Sequence, residues 1–467
     1  MNTPFSRRTF LSGAILAASA GTAAGRDDEP TTRPGSAKQP DSSSAPFMDQ
    51  YYEGILRIIE GIRDTQVDKI AAAMEAAYAC KNKGGKIFSN VVFGHYAAYA
   101  GCKTIPGQPW VLPQYYSLLN GPFASMKRGD FLLTNIVNMD MTAGWNKESD
   151  DWKKAHDMGV FIAGITSNYF KCFRTPPGAY YPRRMELALE DIANLIIDSQ
   201  VPWNNGLVFT PQHPQFPICP STGTAHFAVY WACTASLANL IGTKGKGSSA
   251  EPARRYLDLV RERFGMVGTD RPKIDRLAER WANLTLAKKA RLFVYGEPFS
   301  AGEGVWGGGN MFVADAVGAA NGSMFAQEYG PEVRADDIVL IGSVRSNGPL
   351  DIEVARSARG KGAFTVAFCP YSTDGDASGA RLFKDVDVAF NTYCDERAGV
   401  IPVKGFPDPV SPIAGMTGNL VHWMLMAQWA DHMARRGGMP YFWQGMHETG
   451  GTEYDDMVRP FFLKRGY

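Results

Sequence analysis

The chain has 467 residues, 45% of them apolar and 20% charged, with a formal net charge of +1. That length is enough for more than one core, and the near-neutral balance leaves no electrostatic case for nucleic acid or an anionic membrane surface. Seven cysteines without a C-x-x-C pair argue against a zinc site or a disulfide scaffold; most read as buried thiols, although an oxidising compartment would permit one bridge.

In chain order, Ser6-Arg7-Arg8-Thr9-Phe10-Leu11 is a paired-arginine start, followed by a weakly apolar run from Leu11 to Ala24. Ala18-Ser19-Ala20 and Thr22-Ala23-Ala24 are small-residue cleavage candidates. The run falls short of the roughly 20 apolar residues a bilayer span needs. Residues 1–25 therefore read as a twin-arginine signal peptide, which places the mature protein in the periplasm or outside the cell, free of the membrane once cleaved. Residues 26–46, rich in Ser, Pro, Asp and Thr, read as a disordered linker, with the fold beginning near Phe47.

Apolar residues at helical spacing (Ile55, Ile58, Ile59, Ile62, Val67, Ile70, Met74) predict one helix over 51–82, closed by Gly84-Gly85. Strands are predicted over 86–93, 131–137 and 160–166, with a charged helix over 147–158 before the third. Later, helices over 274–290 and 350–359 alternate with strands over 291–295, 338–342 and 364–368. Strands separated by helices imply parallel sheets covered on both faces.

The two halves also share a rhythm. The interval from Asp198 to Gly206 equals that from Asn391 to Gly399, and Gly223–Trp231 equals Gly415–Trp423. The interval Gly206–Gly223 exceeds Gly399–Gly415 by a single residue. Matching intervals in the same order imply duplication, with the Gly/Ser-rich stretch from Gly242 to Ala250 as the boundary. The expected units are 47–245 and 246–467.

The segment Asp337-Ile338-Val339-Leu340-Ile341-Gly342-Ser343-Val344-Arg345-Ser346-Asn347-Gly348-Pro349-Leu350-Asp351 resembles the central motif of the sugar-isomerase (SIS) domain superfamily. Lys361-Gly362-Ala363-Phe364, Asp385-Val386-Asp387-Val388 and Pro412-Ile413-Ala414-Gly415-Met416-Thr417-Gly418 resemble its later blocks. Pro440-Tyr441-Phe442-Trp443 and Gly450-Gly451-Thr452-Glu453 resemble the tail of an uncharacterised branch, and the first half matches more loosely. The resemblance implies an α/β fold of two tandem flavodoxin-like three-layer α/β/α domains with parallel sheets, related by a pseudo-two-fold duplication. It also implies a sugar or sugar phosphate as partner, and no cofactor or metal.

Whatever the family, a strand ending in Ser and Gly before a helix aims hydroxyls, N–H groups and the positive helix end at one spot. Ser343, Arg345, Ser346, Asn347 and Gly348 fit a phosphate cradle; a plain strand-to-helix turn uses the same residue types. The first-half counterpart, from Asn135 to Thr142, lacks serines and reads as degenerate, leaving one pocket mostly in the second half. Aldose–ketose isomerisation needs a base and an acid. Glu297 and Glu303 are carboxylates after the strand over 291–295; His95 follows a strand end, and His447 lies in a Gly-rich tail. The resemblance makes Ser300 and Glu303 ligand-loop candidates. His226 and His422, on apolar helices, read as core.

Three functions follow: a sugar isomerase, a non-catalytic carbohydrate-binding protein, or an exported NAD(P)-dependent oxidoreductase. The last rests on Gly302-Glu303-Gly304-Val305-Trp306-Gly307, a literal G-x-G-x-x-G. Trp306 would crowd a pyrophosphate there, and no acidic residue closes a clear next strand. The sugar's identity and a homodimer are left open.

Overall fold

The computed structural model describes residues 45–91, 111–112, 125–135, 151–166, 173, 188–214, 216–296, 311–312, 315–316, 332–372, 379–394, 399–444 and 451–467. The expected first helix is two, α1 (Phe47–Thr65) and α2 (Val67–Asn82), separated at Gln66. Gln66 widens to φ −116° while keeping its backbone hydrogen bonds to Ile62 and Ile70, and its side-chain oxygen accepts the Asp198 N–H at 2.9 Å. Helical periodicity continues across the break because Ile62, Val67 and Ile70 all face the same core.

Four parallel strands follow: β1 (Ile87–Asn90), β2 (Phe131–Thr134), β3 (Phe161–Ile165) and β4 (Leu195–Ile197), side by side in chain order. Helix α3 (Asp151–Met158) leads into β3. A small antiparallel pair, β5 (Gly206–Val208) with β6 (Ile218–Pro220), then turns the chain into α4 (Thr222–Gly242).

The second half opens with α5 (Ala250–Gly268) and α6 (Arg271–Lys288). Its sheet contains β7 (Leu292–Gly296), β9 (Asp315–Ala316), β10 (Ile338–Gly342), β11 (Phe364–Cys369) and β12 (Val388–Asn391), ordered β12-β11-β10-β7-β9 and all parallel. A short strand, β8 (Met311–Phe312), pairs antiparallel with β13 (Phe442–Trp443) outside this sheet. Read from its other edge, the second strand of this sheet flanks the first, and the third to fifth extend the opposite way: the flavodoxin-like order. Helices α7 (Pro349–Gly360), α8 (Ala414–Arg435) and α9 (Gly451–Arg465) complete the chain.

Alternate residues of this sheet feed two apolar layers, as the two-residue strand period requires. Val339 and Ile341 face Ile352 and Ala355 of α7, whereas Ile338, Leu340, Val366 and Phe368 join the layer that holds α6 and α8. The result is a three-layer α/β/α arrangement.

The halves are copies. The carboxylates of Asp130 and Asp337 each brace the start of the neighbouring strand, through Lys86 N at 2.8 Å and Arg291 N at 3.1 Å. Two strands further on, Asn194 accepts from Ile162 N at 2.8 Å and Asp387 from Thr365 N at 2.8 Å. The side chains of Asp198 and Asn391 both close a turn onto the N–H two residues ahead, at 2.9 and 3.0 Å, where Gln200 and Tyr393 have φ of 61° and 53°. The β5–β6 pair has its counterpart in the antiparallel bridge Ile401–Val410. Trp231 and Trp423 each take an edge contact from the preceding ring, Tyr230 at 4.9 Å and His422 at 4.8 Å.

Helices α4 and α8 are buried on nearly every side, which is why their sequences are apolar all round rather than striped. They meet in one core that also takes in α1, α2, α5 and α6. Helix α5, which opens the second half of the sequence, packs against α1, α2 and α4 as well as α8. Truncating a residue such as Trp423, 1% exposed at the centre of this core, would cost about 3–5 kcal/mol. The cysteines Cys80, Cys219 and Cys233 are buried free thiols, while Cys369 is buried and Cys394 partly buried.

Candidate functional site

Strands β7 and β10 lie side by side, with Gly296 opposite Gly342 at their carboxyl ends. The chain leaves β7 toward β9 and leaves β10 toward β11, in opposite directions across the sheet. Such a reversal opens a crevice at the strand tips. Glycine is needed at 296: φ is +91°, and a Cβ there would collide with the Gly342 carbonyl oxygen.

The turn after β10 gathers Ser343, Arg345, Ser346, Asn347 and Gly348 at the N-terminus of α7, as the sequence implies. The hydroxyls are not free, however. Ser343 Oγ donates to Asp351 Oδ2 at 2.5 Å and accepts the Arg345 N–H at 3.2 Å. Ser346 is fully buried, and its hydroxyl donates to the Ser372 carbonyl at 3.0 Å while its own carbonyl accepts from Leu382 N at 2.7 Å. Both serines bind the protein's own acceptors. Arg345 is exposed, and Asn347 and Gly348 are half-buried.

Asp351, absent from the sequence-derived candidates, is the central group of the turn. It is the third residue of α7, and its carboxylate lies over Gly348, where an added Cβ would strike Oδ2. Burial pushes its pKa above the usual carboxylate range, against the opposing pull of the Ser343 hydrogen bond and the Arg345 charge. In the sequence it is one more acidic residue in a helix's first turn, an ordinary response to the helix dipole.

Beside this turn, β11 and β12 end in Cys369 and Asn391. Tyr371, 41% exposed, gives its N–H to Asn391 Oδ1 at 3.2 Å and its hydroxyl to the Ala389 carbonyl at 2.6 Å, with its ring tilted on Phe383 at 4.9 Å. This fixes an accessible aromatic ring, amphipathic enough to meet a sugar face, at the sheet's carboxyl edge.

At the corresponding tips of the first sheet, the residues following β2 and β3 are tied to helix α4. Asn135 Nδ2 lies 3.0 Å from His226 Nδ1, and His226 Nε2 lies 3.2 Å from the Thr166 carbonyl. With Nε2 facing an acceptor and Nδ1 facing an amide donor, the arrangement matches the Nε2–H tautomer. Thr166 Oγ1 continues the network to Asp198 and Ser199, both at 3.2 Å. The sequence places His226 in the core; the structure adds that it holds the first sheet's tips together.

Glu297, Ser300, Glu303, His95 and His447 lie outside the described residues, as does the stretch Gly302–Gly307. Among the described residues no group of three or more His, Cys, Asp or Glu could hold a metal ion. Among the described residues, no helix is long and apolar enough to cross a membrane.

No family model matches the chain. It is similar to a UPF0309 protein of Geobacillus thermodenitrificans, 24% identical over 129 residues that make up 27% of this chain and 52% of the relative. A UPF0309 protein of Halalkalibacterium halodurans is 22% identical over 139 residues, 29% of this chain and 56% of the relative. The chain thus spans about half the length of the curated relatives it matches. Among solved structures it is similar to tagatose-6-phosphate ketose/aldose isomerase from Escherichia coli, with TM-score 0.41 and 13% identity, covering 84% of this chain and 94% of that one. It is also similar to the C-terminal domain of glucosamine-fructose-6-phosphate aminotransferase from Francisella tularensis, with TM-score 0.40 and 10% identity, covering 84% and 99%.

Proposed function

We propose that this chain binds a sugar at the carboxyl tips of its second sheet and interconverts aldose and ketose forms there. The observation that carries this reading is the strand-order reversal between β7 and β10, which opens a crevice beside the turn Ser343–Gly348. The exposed ring of Tyr371 flanks the same edge. The first sheet supplies no second site in this reading, since His226 and Asn135 are bonded to each other across its tips.

Isomerisation would move the C2 proton of an aldose to C1 through a base while an acid carries a proton between the two oxygens, so no external oxidant or reductant is consumed. Glu303 and Glu297 are proposed as the base, with His95 or His447 as the ring-opening acid. Ser300 and the Ser343–Gly348 turn would hold the ligand. A chain with the same pocket and no base in reach would be a carbohydrate-binding protein without turnover. In the same proposal, residues 1–25 direct the folded protein through twin-arginine export to the periplasm or beyond.

The test is a thermal-shift screen of hexoses, hexosamines and their phosphates, followed by proton NMR in deuterium oxide on whatever binds. A catalyst exchanges the substrate C2 proton for deuterium, and Glu303→Gln abolishes the exchange. A ligand that raises the melting temperature without exchange selects the binding protein. A screen in which no sugar of either kind shifts the melting temperature overturns the sugar site.

A further inference from the structure

We infer that Asp351 is a specificity-determining residue, which fills the anion seat of the Ser343–Gly348 turn and restricts the site to unphosphorylated sugars. This rests on the sugar site proposed above.

The N-terminus of a helix entered through a Ser/Gly turn attracts an anion because its first N–H groups and the helix dipole point outward. Here the chain supplies the anion itself. The Asp351 carboxylate lies against the Gly348 backbone so closely that no side chain fits between them. Ser343 has a single hydroxyl proton, and it goes to that carboxylate. Ser346 has given its own proton to the Ser372 carbonyl. Pro349, at the first position of α7, has no N–H to offer.

A phosphate entering this seat would meet a like charge at contact distance and two hydroxyls already committed elsewhere. The hydroxyls of a neutral sugar meet the opposite situation: a half-buried carboxylate accepts two hydrogen bonds from them without any charge to repel. Burial raises the pKa of this carboxylate, and Arg345, the exposed cation of the turn, partly opposes that shift.

The experiment compares matched pairs, namely glucose, galactose and fructose with their 6-phosphates, plus inorganic phosphate, by isothermal titration against the mature chain and Asp351→Asn. Asparagine keeps the size of the side chain and can still accept from Ser343, so the variant isolates the charge. The wild type should bind the free sugar of its preferred pair about tenfold or more tighter than the 6-phosphate, and Asp351→Asn should remove or reverse that ratio. Inorganic phosphate should compete only in the variant. A wild type that binds the 6-phosphate as tightly as the free sugar overturns the inference while leaving the sugar site intact, and so does a ratio unchanged in a folded variant. If neither member of any pair binds, the underlying sugar site has failed and the inference falls with it. Should Asp351→Asn not fold, the wild-type ratio alone still decides.

Discussion

Asp130 and Asp337 occupy equivalent positions: each precedes a strand that pairs with the first strand of its sheet, and each bonds backward to the N–H three residues upstream, Lys127 at 2.9 Å and Arg334 at 2.7 Å. Each also bonds across to the residue opening the neighbouring strand. A carboxylate placed this way ties two parallel strands at the end remote from the ligand crevice. The difference between the copies is Arg291, whose guanidinium adds bonds to Asp337 at 3.1 and 2.6 Å with side-chain exposures of 11% and 5%.

That difference has a measurable consequence. Asp130→Ala removes two part-buried hydrogen bonds, to Lys86 N and Lys127 N, and should cost about 1–2 kcal/mol. Asp337→Ala also takes the carboxylate partner from a largely buried guanidinium and should cost more, about 3–5 kcal/mol. Urea unfolding followed by far-UV circular dichroism resolves the two; a smaller loss at Asp337 than at Asp130 would contradict this account.

Ser346 separates a structural role from a ligand role. Its hydroxyl is buried and holds the Ser372 carbonyl, so Ser346→Ala should lower the stability of the free protein by about 1 kcal/mol. Sugar affinity should stay within about twofold, since its hydroxyl proton is already committed inside the protein. An unchanged melting temperature with weakened sugar binding would place the hydroxyl in the ligand site instead.

Two buried histidines predict a loss of stability in mild acid. Burial lowers His422 to about 3 and His213 to about 4 from the ordinary 6.5. The folded state therefore resists a proton that the unfolded chain accepts. Their stabilising contribution is complete above about pH 6.5 and declines as pH falls from there toward the folded values. Each should cost about 2 kcal/mol at pH 5, and His422→Leu should flatten the pH dependence between 7 and 5 by about that amount. An unchanged slope in that variant would mean that His422 is protonated in the fold.

Near the amino ends of β7 and β10, Thr285 is 1% exposed with a hydroxyl that has no hydrogen-bond partner among the described residues. It lines a small cavity with Trp281, Ala290, Leu292, Ile338 and Tyr467. Replacing an unsatisfied hydroxyl by a methyl group of the same shape removes a desolvation cost, so Thr285→Val should be neutral or stabilising by up to about 1 kcal/mol. A destabilised variant would reveal a water bound to Thr285 in the cavity.

How much of this was legible in the sequence depended on how local the cause was. Strands of the second sheet are continuous apolar runs, and β10 falls on the residues the pattern gives, Ile338–Gly342. The duplication was readable from matched intervals because turns such as those at Asp198 and Asn391 fix backbone geometry by short-range hydrogen bonds. The break between α1 and α2 was not, because the widened backbone at Gln66 leaves the apolar spacing intact and its side chain bonds to Asp198, a residue distant in sequence. Asp351 was missed for the same reason: its meaning lies in which serine it faces and which glycine it covers. His226 looked like core on an apolar helix, and only the approach of Asn135 and Thr166 shows its part in holding the first sheet's tips together.

The central claim, a single sugar site at the tips of the second sheet, is tested most directly by hydrogen–deuterium exchange mass spectrometry with the sugar that gives the largest thermal shift. The account predicts slower exchange in peptides spanning residues 343–352 and 369–372, with no change in those spanning 131–135 and 161–166. Protection confined to the first-sheet peptides would contradict it.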